Sequence, residues 1–326
     1  MKVVIIFRKR RPQAHSIEQL FKTISGELGK QVEVIEYEAR GLSGVLLDAW
    51  QLRQLKADIY HITGDINYLS NLLPSKKVVL TIHDVGHYLF GLSGIKRELY
   101  KWFWLKLPLR HAGAITAVSM ETRNNIVGHV GIKRSDIVVI ENCHSNIFDP
   151  VSKSFSARRP VILQVGTQPY KNVPRLVEAL KGSCCHLILI GSLNDEILQR
   201  LAKCMVSYEN FVGLTHEEIY ELYVKCDIVS FVSLGEGFGV PIIEAQAVGR
   251  PLITADVSPL CDVAGSGACL VDPLNVSQIR AGIKKIIRDE NYRNQLVGYG
   301  FQNVRRFSPA TITNQYLNLY NQLKQL

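Results

Sequence analysis

Two glutamates set across a glycine-rich turn are the residues of this chain best placed to do chemistry. The segment Phe231-Val232-Ser233-Leu234-Gly235-Glu236-Gly237-Phe238-Gly239-Val240-Pro241-Ile242-Ile243-Glu244-Ala245 reads as a buried strand, a glycine loop and a helix that opens around Pro241. The glycines let the backbone approach a ligand closely, and a helix N-terminus supplies free N–H groups and the positive end of a dipole. That arrangement suits a diphosphate or a polar sugar. Glu236 lies in the loop and Glu244 lies on the new helix. Two carboxylates so placed accept hydrogen bonds from hydroxyls at separate points on one ligand. The bland alternative is a strand–turn–helix with a solvated Glu236 and Glu244 on a helix face. The full string, with both glutamates and the proline, favours the first reading.

Two further segments carry candidate groups. Val165-Gly166-Thr167-Gln168-Pro169-Tyr170-Lys171-Asn172 ends where Asn172 can cap a helix with Val173, Leu176, Val177 and Leu180 on its apolar face. Lys171 then stands at a helix N-terminus, where a diphosphate is well placed to bind. In Val79-Leu80-Thr81-Ile82-His83-Asp84, His83 falls at the carboxyl end of a strand, the place where α/β sites form. A satisfied core histidine is the alternative there. His83, Asp84 and His87 are too few and too local for a metal site, and no D-x-D pair occurs, so no catalytic metal is expected.

The elements that must position these residues are short apolar strands alternating with helical patterns. Strands are predicted at 2–7, 32–37, 57–61, 77–82, 113–118 and 136–141, and again at 161–166, 186–191, 208–212, 227–233, 250–254 and 268–271. Nearly continuous apolar strands separated by helices imply parallel sheets buried on both faces, and two series imply two doubly wound α/β domains. The predicted division is 1–150, 151–307 and a last helix over 308–326. That helix starts at Ser308-Pro309 and carries Ile312, Tyr316, Leu319, Tyr320 and Leu323 as one stripe.

Of the 326 residues, 47% are hydrophobic and 21% charged, which fits an ordinary globular protein with room for two domains. No apolar run approaches the roughly 18 residues that span a bilayer. The apolar stretch Val3–Phe7 is followed, not preceded, by its charges, so it reads as a strand and not as a secretory signal. The seven cysteines show no C-x-x-C spacing and read as reduced thiols of a cytosolic protein. The net charge of +9 is uneven: residues 1–155 hold 21 Lys/Arg against 14 Asp/Glu. A basic first half points to an anionic partner such as phospholipid, lipid-linked phosphate or nucleic acid, or to a solvated lysine-rich face.

Residues 235–245 resemble the signature of the family-four retaining glycosyltransferases of the GT-B fold, two glutamates separated by seven residues within G-E-G-F-G-x-P-x-x-E-A. The likeness extends along nearly the whole chain. Residues 165–172 look like the segment that opens the family's C-terminal domain, and 79–84 like its strand ending in His-Asp. Ile115–Ser119, Pro251–Thr254, Asp272-Pro273 and Phe307–Pro309 are smaller matches. The resemblance implies two Rossmann-like domains facing a cleft, with the C-terminal helix crossing back to the N-terminal domain. It implies donor contacts from Gly166, Thr167, Lys171, Gly237, Phe238, Gly239, Val240 and Glu244, with His83 and Glu236 at the reacting sugar. Lys171 would grip the diphosphate, Glu244 the ribose hydroxyls and Glu236 the sugar hydroxyls.

By the same resemblance the activity is metal-independent transfer of a hexose, with retention, from a nucleotide sugar to a glycan or lipid-linked acceptor. Mannose from GDP-mannose is slightly preferred, because the G-T…K-N variant is similar to mannosyltransferases. A UDP-hexose is close behind. The nucleotide sugar is a co-substrate, and no cofactor or nucleic acid is expected. Two departures stand out. The family's arginine partner to the lysine is replaced by Thr167 or Tyr170, and the glycine pair after the first strand is replaced by Arg8-Lys9-Arg10-Arg11.

Arg8, Lys9, Arg10 and Arg11, with Lys101, Trp102 and Trp104 of the basic–aromatic stretch 96–110, form a candidate acceptor or membrane surface. The aromatics of that stretch are not confined to one face, which favours an ordinary partly buried helix. The expected location is the cytoplasm, with peripheral contact to the inner face of the plasma membrane. A non-catalytic nucleotide-sugar-binding relative remains an alternative. A nicotinamide-dependent dehydrogenase would want G-x-G-x-x-G after the first strand, and residues 8–15 contain no glycine.

Overall fold

A computed structural model describes residues 1–9, 16–132 and 137–325. The chain divides into two compact units, Met1–Cys143 with Ser308–Leu326, and His144–Phe307. Each is built on a six-stranded, all-parallel sheet.

The first unit holds β1 (Lys2–Phe7), β2 (Glu33–Glu38), β3 (Ile59–Ile62), β4 (Val78–Ile82), β5 (Ala114–Ala117) and β6 (Val138–Val139), in the order β2-β1-β3-β4-β5-β6. Its helices are α1 (Ser16–Leu28), α2 (Val45–Gln54), α3 (Gly86–Phe90), α4 (Gly94–Tyr100), α5 (Leu107–His111) and α6 (Met120–Asn125). The second unit holds β7 (Val161–Val165), β8 (His186–Ile190), β9 (Ser207–Phe211), β10 (Ile228–Phe231), β11 (Leu252–Ala255) and β12 (Cys269–Val271), in the order β12-β11-β10-β7-β8-β9. Around it run α7 (Val173–Leu180), α8 (Asp195–Cys204), α9 (His216–Lys225), α10 (Val240–Val248), α11 (Leu260–Ala264), α12 (Val276–Arg288) and α13 (Glu290–Val304). All twelve strands fall within the expected segments or within two residues of them. The order of neighbours reverses between β1 and β3 in one sheet and between β7 and β10 in the other. Ligands of open α/β sheets bind at the carboxyl ends of the strands flanking such a reversal.

Side chains alternate across each strand. In the first sheet Val4, Ile6, Tyr60, Ile62, Leu80 and Ile115 pack with Leu52 of α2 and Leu109 of α5. Val3, Ile5, Ile59 and Val79 point the other way, against Phe21 and Ile24 of α1. The same face is closed by α14 (Pro309–Lys324), the last helix of the chain, through Ile312, Tyr316, Leu319, Tyr320 and Leu323. Ser308 caps α14 by accepting from the Thr311 N–H at 3.2 Å, with Pro309 in the first turn.

That face also holds a polar seam. His61 of β3 is fully buried, with Nδ1 2.6 Å from the Tyr320 hydroxyl and Nε2 2.7 Å from Thr81 Oγ1. Thr81 is 2.7 Å from Thr116 Oγ1, so a chain of hydrogen bonds runs from the last helix through β3 and β4 to β5. Burial, with a smaller contribution from His83, pushes the His61 pKa down to about 3. The folded ring therefore stays neutral while an unfolded chain protonates below the ordinary value near 6.5. The stability that this ring contributes is complete above about pH 6.5 and is lost as the pH falls toward 3. Thermal melting across that range is expected to show the loss. His61→Gln is expected to cost about 2 kcal/mol at neutral pH and to flatten the acid limb. An unchanged acid limb in the variant would contradict this assignment.

Candidate functional site

The reversal point of the second sheet gathers most of the candidate donor residues. β7 ends at Val165 and β10 at Phe231, and the loops leaving them are tied by the Leu234 N–H donating to the Tyr170 carbonyl at 2.8 Å. Gly166 stands at φ +86°, where a Cβ would come within 2.8 Å of Lys171 Cε, so the lysine stem lies directly on the glycine. That side chain ends 2.7 Å from Glu236 Oε1. Both partners are nearly buried, 12% and 13% exposed. The ammonium also lies 4.5 Å from the centre of the Phe231 ring and 5.2 Å from that of Tyr170. One cation is thus held by a carboxylate and two aromatic rings.

The glycine loop follows from local geometry. Gly239 has φ +114°, and a Cβ there would meet Leu260 Cδ2 at 2.8 Å, so only glycine fits without a shift. α10 begins at the next residue, Val240, with Pro241 in its first turn. Phe238 is buried edge-on to Phe307, ring centres 5.6 Å apart, and anchors the loop between Gly237 and Gly239.

Glu244 is buried on α10 and accepts from the Tyr223 hydroxyl at Oε2, 2.7 Å away. Burial pushes its carboxyl up to about 7, opposed by the Tyr223 hydrogen bond and by the charge of Lys171. Tyr223 comes from α9, whose start is fixed by a reciprocal cap. Thr215 Oγ1 accepts from the Glu218 N–H at 3.2 Å, and Glu218 accepts from the Thr215 N–H at 2.7 Å. Nothing in the spacing of α9 marks Tyr223 as a partner of Glu244, and the sequence reading did not include it.

The expectation that Asn172 caps α7 is corrected. Asn172 takes a left-handed conformation, and its side chain makes no cap bond. Its Nδ2 donates instead to the carbonyls of Val232, at 3.0 Å, and Pro273, at 2.7 Å. Its Oδ1 accepts from Arg175 at 2.9 Å. The asparagine therefore ties together the loops after β7, β10 and β12. Thr167 is buried, with its hydroxyl donating to the Ser192 carbonyl at 2.7 Å. Arg175, also missed, lines a cavity of about 240 Å³ together with Thr167, Gln168 and Asn172, on the same stretch as Lys171.

In the first unit His83 follows β4. Its Nε2 lies 2.9 Å from the Thr63 carbonyl, which only accepts, so Nε2 carries the hydrogen and Nδ1 the lone pair. Burial lowers its pKa and keeps the ring neutral, and Phe21 meets it edge-on with centres 5.9 Å apart. Arg8 follows β1 and turns inward. Its Nε is 2.6 Å from Glu18 and its Nη1 3.5 Å from Asp65. Lys9 is exposed, and Arg10 and Arg11 lie outside the described residues. Lys101 and Trp102 lie on a π-helical turn, Lys101–Lys106, that joins α4 to α5. The aromatics here are not confined to one face, as expected. Trp104 points inward and donates from Nε1 to the Asp65 carbonyl at 2.8 Å, whereas Trp102 and Phe103 point outward.

Family models cover both units. Residues 4–144 match the model described as Glycosyltransferase Family 4, and residues 147–303 match that of Glycosyl transferases group 1. The O-antigen chain mannosyltransferase B of Escherichia coli is 28% identical over 297 residues, 84% of this chain and 77% of that one. The O-antigen chain mannosyltransferase RfbU of Salmonella typhimurium is 27% identical over 240 residues, 70% of this chain and 67% of that one. Among solved structures, Anabaena HepE in complex with UDP and glucose shares the fold. Its TM-score is 0.80 at 17% identity, covering 99% of this chain and 100% of that one. With family matches running from residue 4 to residue 303, the chain belongs to the family 4, group 1 glycosyltransferases and has their GT-B fold.

Proposed function

We propose that this glycosyltransferase moves a hexose, mannose before others, from a nucleotide sugar to a lipid-linked glycan during assembly of an O-antigen-type polysaccharide. The observation that carries the reading is the Lys171–Glu236 pair at the reversal point of the second sheet, one turn of loop away from the start of α10. A nearly buried ammonium next to a helix N-terminus suits a diphosphate. A carboxylate beside it suits the hydroxyls of the attached sugar. The mannosyltransferase names of the relatives support mannose, and their O-antigen chains support the acceptor class.

In this reading Lys171 neutralises the diphosphate, assisted by Arg175 in the place of the missing second cation. Gly166, Thr167 and the Gly237–Val240 backbone shape the cradle. Glu244 takes the ribose hydroxyls through Oε1, because Tyr223 already occupies Oε2. With both glutamates engaged in binding, neither is free as a nucleophile. Attack therefore comes from the face the phosphate leaves, and the departing phosphate takes the acceptor's proton. Configuration is retained without a metal, and the protein works by positioning groups and stabilising charge.

Glu236→Ala, with folding verified by circular dichroism, is expected to lower both transfer and donor hydrolysis by about a hundredfold or more. Wild-type levels in that variant would sink the reading. Equal thermal shifts with and without nucleotide sugars in the wild type would do the same. In a panel of donors, GDP-mannose is expected to raise the melting temperature most. A larger shift from a UDP-hexose would reassign the donor and leave the fold of the site unaffected.

The Glu244 carboxyl, pushed up to about 7, must ionise to accept two ribose hydroxyls. Donor affinity is therefore expected to rise as the pH increases through about 7. Tyr223→Phe removes a hydrogen bond that holds this pKa down, so the rise is expected to move to higher pH. Glu244→Gln is expected to abolish it. Donor KM measured against pH in the three proteins checks all of this together.

A further inference from the structure

α2 in the first unit leaves most of its large apolar side chains outside the core. It buries the Asp48 carboxylate, which accepts from the Tyr37 hydroxyl at 2.8 Å and from Arg40 Nη1 at 2.6 Å. Ala49 and Leu52 enter the core, but Leu46, 74% exposed, and Trp50, 60% exposed, face solvent with Leu47 beside them. A helix on a water-facing surface normally turns such residues to the core.

The helical run from α4 through the π-helical turn to α5 repeats the pattern. Trp104, Leu105 and Leu109 face inward, while Ile95, Leu99, Phe103 and Leu107 form an outward stripe, each four residues from the last. Ile95 is 77% and Phe103 58% exposed, with Trp102 alongside. The wider π-helical turn keeps the stripe in line. Cations are interleaved with it. Residues 94–111 hold Lys96, Arg97, Lys101, Lys106 and Arg110 against one acid, Glu98. Lys106 lies 4.1 Å over the Trp102 ring.

Both elements are fixed to one piece of backbone. Arg53 Nε of α2 donates to the Leu72 carbonyl at 2.9 Å, and Asn67 Nδ2 donates to the Trp104 carbonyl at 3.0 Å. Asn67–Leu72 is a single 3₁₀ segment, so both are anchored on the same short element. Among the described residues no helix is long and apolar enough to cross a membrane.

We propose that α2 and the outward face of residues 94–107 form one docking surface for an anionic phospholipid bilayer. The apolar side chains enter the headgroup boundary and the flanking lysines and arginines meet lipid phosphates. The excess of cations selects this occupant over a neutral protein partner or a second copy of a chain that is itself basic. The surface deepens the reading of a lipid-borne acceptor and takes its lipid class from it. Its test uses no donor or acceptor, so the two can fail separately.

The full chain is mixed with sedimenting vesicles of phosphatidylcholine alone, or of phosphatidylcholine with phosphatidylglycerol. Binding is expected only to the anionic vesicles, with weakening in high salt and a blue shift of tryptophan emission. A Trp50→Ser, Phe103→Ser double variant and a Lys96→Glu, Arg110→Glu double variant are each expected to lose about tenfold in partitioning. Leu198→Ser, an exposed change in the second unit, is expected to lose nothing. All three variants are first matched to wild type in melting temperature. No binding, equal binding to both vesicles, or binding untouched in both double variants would overturn the proposal. So would a concentration-dependent dimer that the Trp50→Ser, Phe103→Ser change dissolves.

Discussion

An ammonium and a carboxylate held 2.7 Å apart, with little water around either, set the conditions for the rest of the second unit. A nearly buried pair of this kind is stable only if both charges stay matched and their approach is fixed. The surrounding residues fix it. Gly166 has no side chain to obstruct the lysine stem. Phe231, the last residue of β10, lies beneath the ammonium, and Leu234 is pinned to the backbone of Tyr170. Asn172 then ties the same loops to a third through two carbonyls. The two loops leave the strands on either side of the sheet reversal. The charge pair is therefore a consequence of strand order as much as of residue type.

The first unit solves a different problem with neutral groups. His61, Thr81, Thr116 and Tyr320 form a seam with no net charge in an otherwise apolar layer. Each of these buried side chains has a hydrogen-bond partner, which is the condition for keeping polar atoms in a core. The seam also gives the last helix a specific rotational setting on the sheet. The apolar residues Ile312, Leu319 and Leu323 would not impose one by themselves.

The fold was legible because its signals are local. Runs such as Val161–Val165 and Val78–Ile82 declare buried parallel strands by composition alone, and Ser308-Pro309 declares a helix start. The glycine loop between Glu236 and Glu244 was legible for the same reason, since glycine and proline positions encode backbone shape. What sequence could not show was pairing over distance. Tyr223 reaches Glu244 from another helix, and Asn172 leaves its own helix end to reach Val232 and Pro273. Arg8, read as part of a free basic cluster, turns in to Glu18 and Asp65. Of the basic–aromatic stretch, the sequence showed only that its aromatics do not share one face. A π-helical turn carries both tryptophans, one inward and one outward, and the residue types alone did not say which.

The place of α14 has a bearing on how the polypeptide comes off the ribosome. Val3, Ile5, Ile59 and Val79 form a layer whose cover includes Tyr316, Tyr320 and Leu323, from the final dozen residues of the chain. The second unit, by contrast, is one uninterrupted stretch from His144 to Phe307. Its core is thus complete in the nascent chain before that of the unit synthesised ahead of it. The usual amino-to-carboxyl order of domain maturation is reversed here. The strands of the first unit wait, with one apolar side only partly covered by α1, for a helix made after the whole of the second unit.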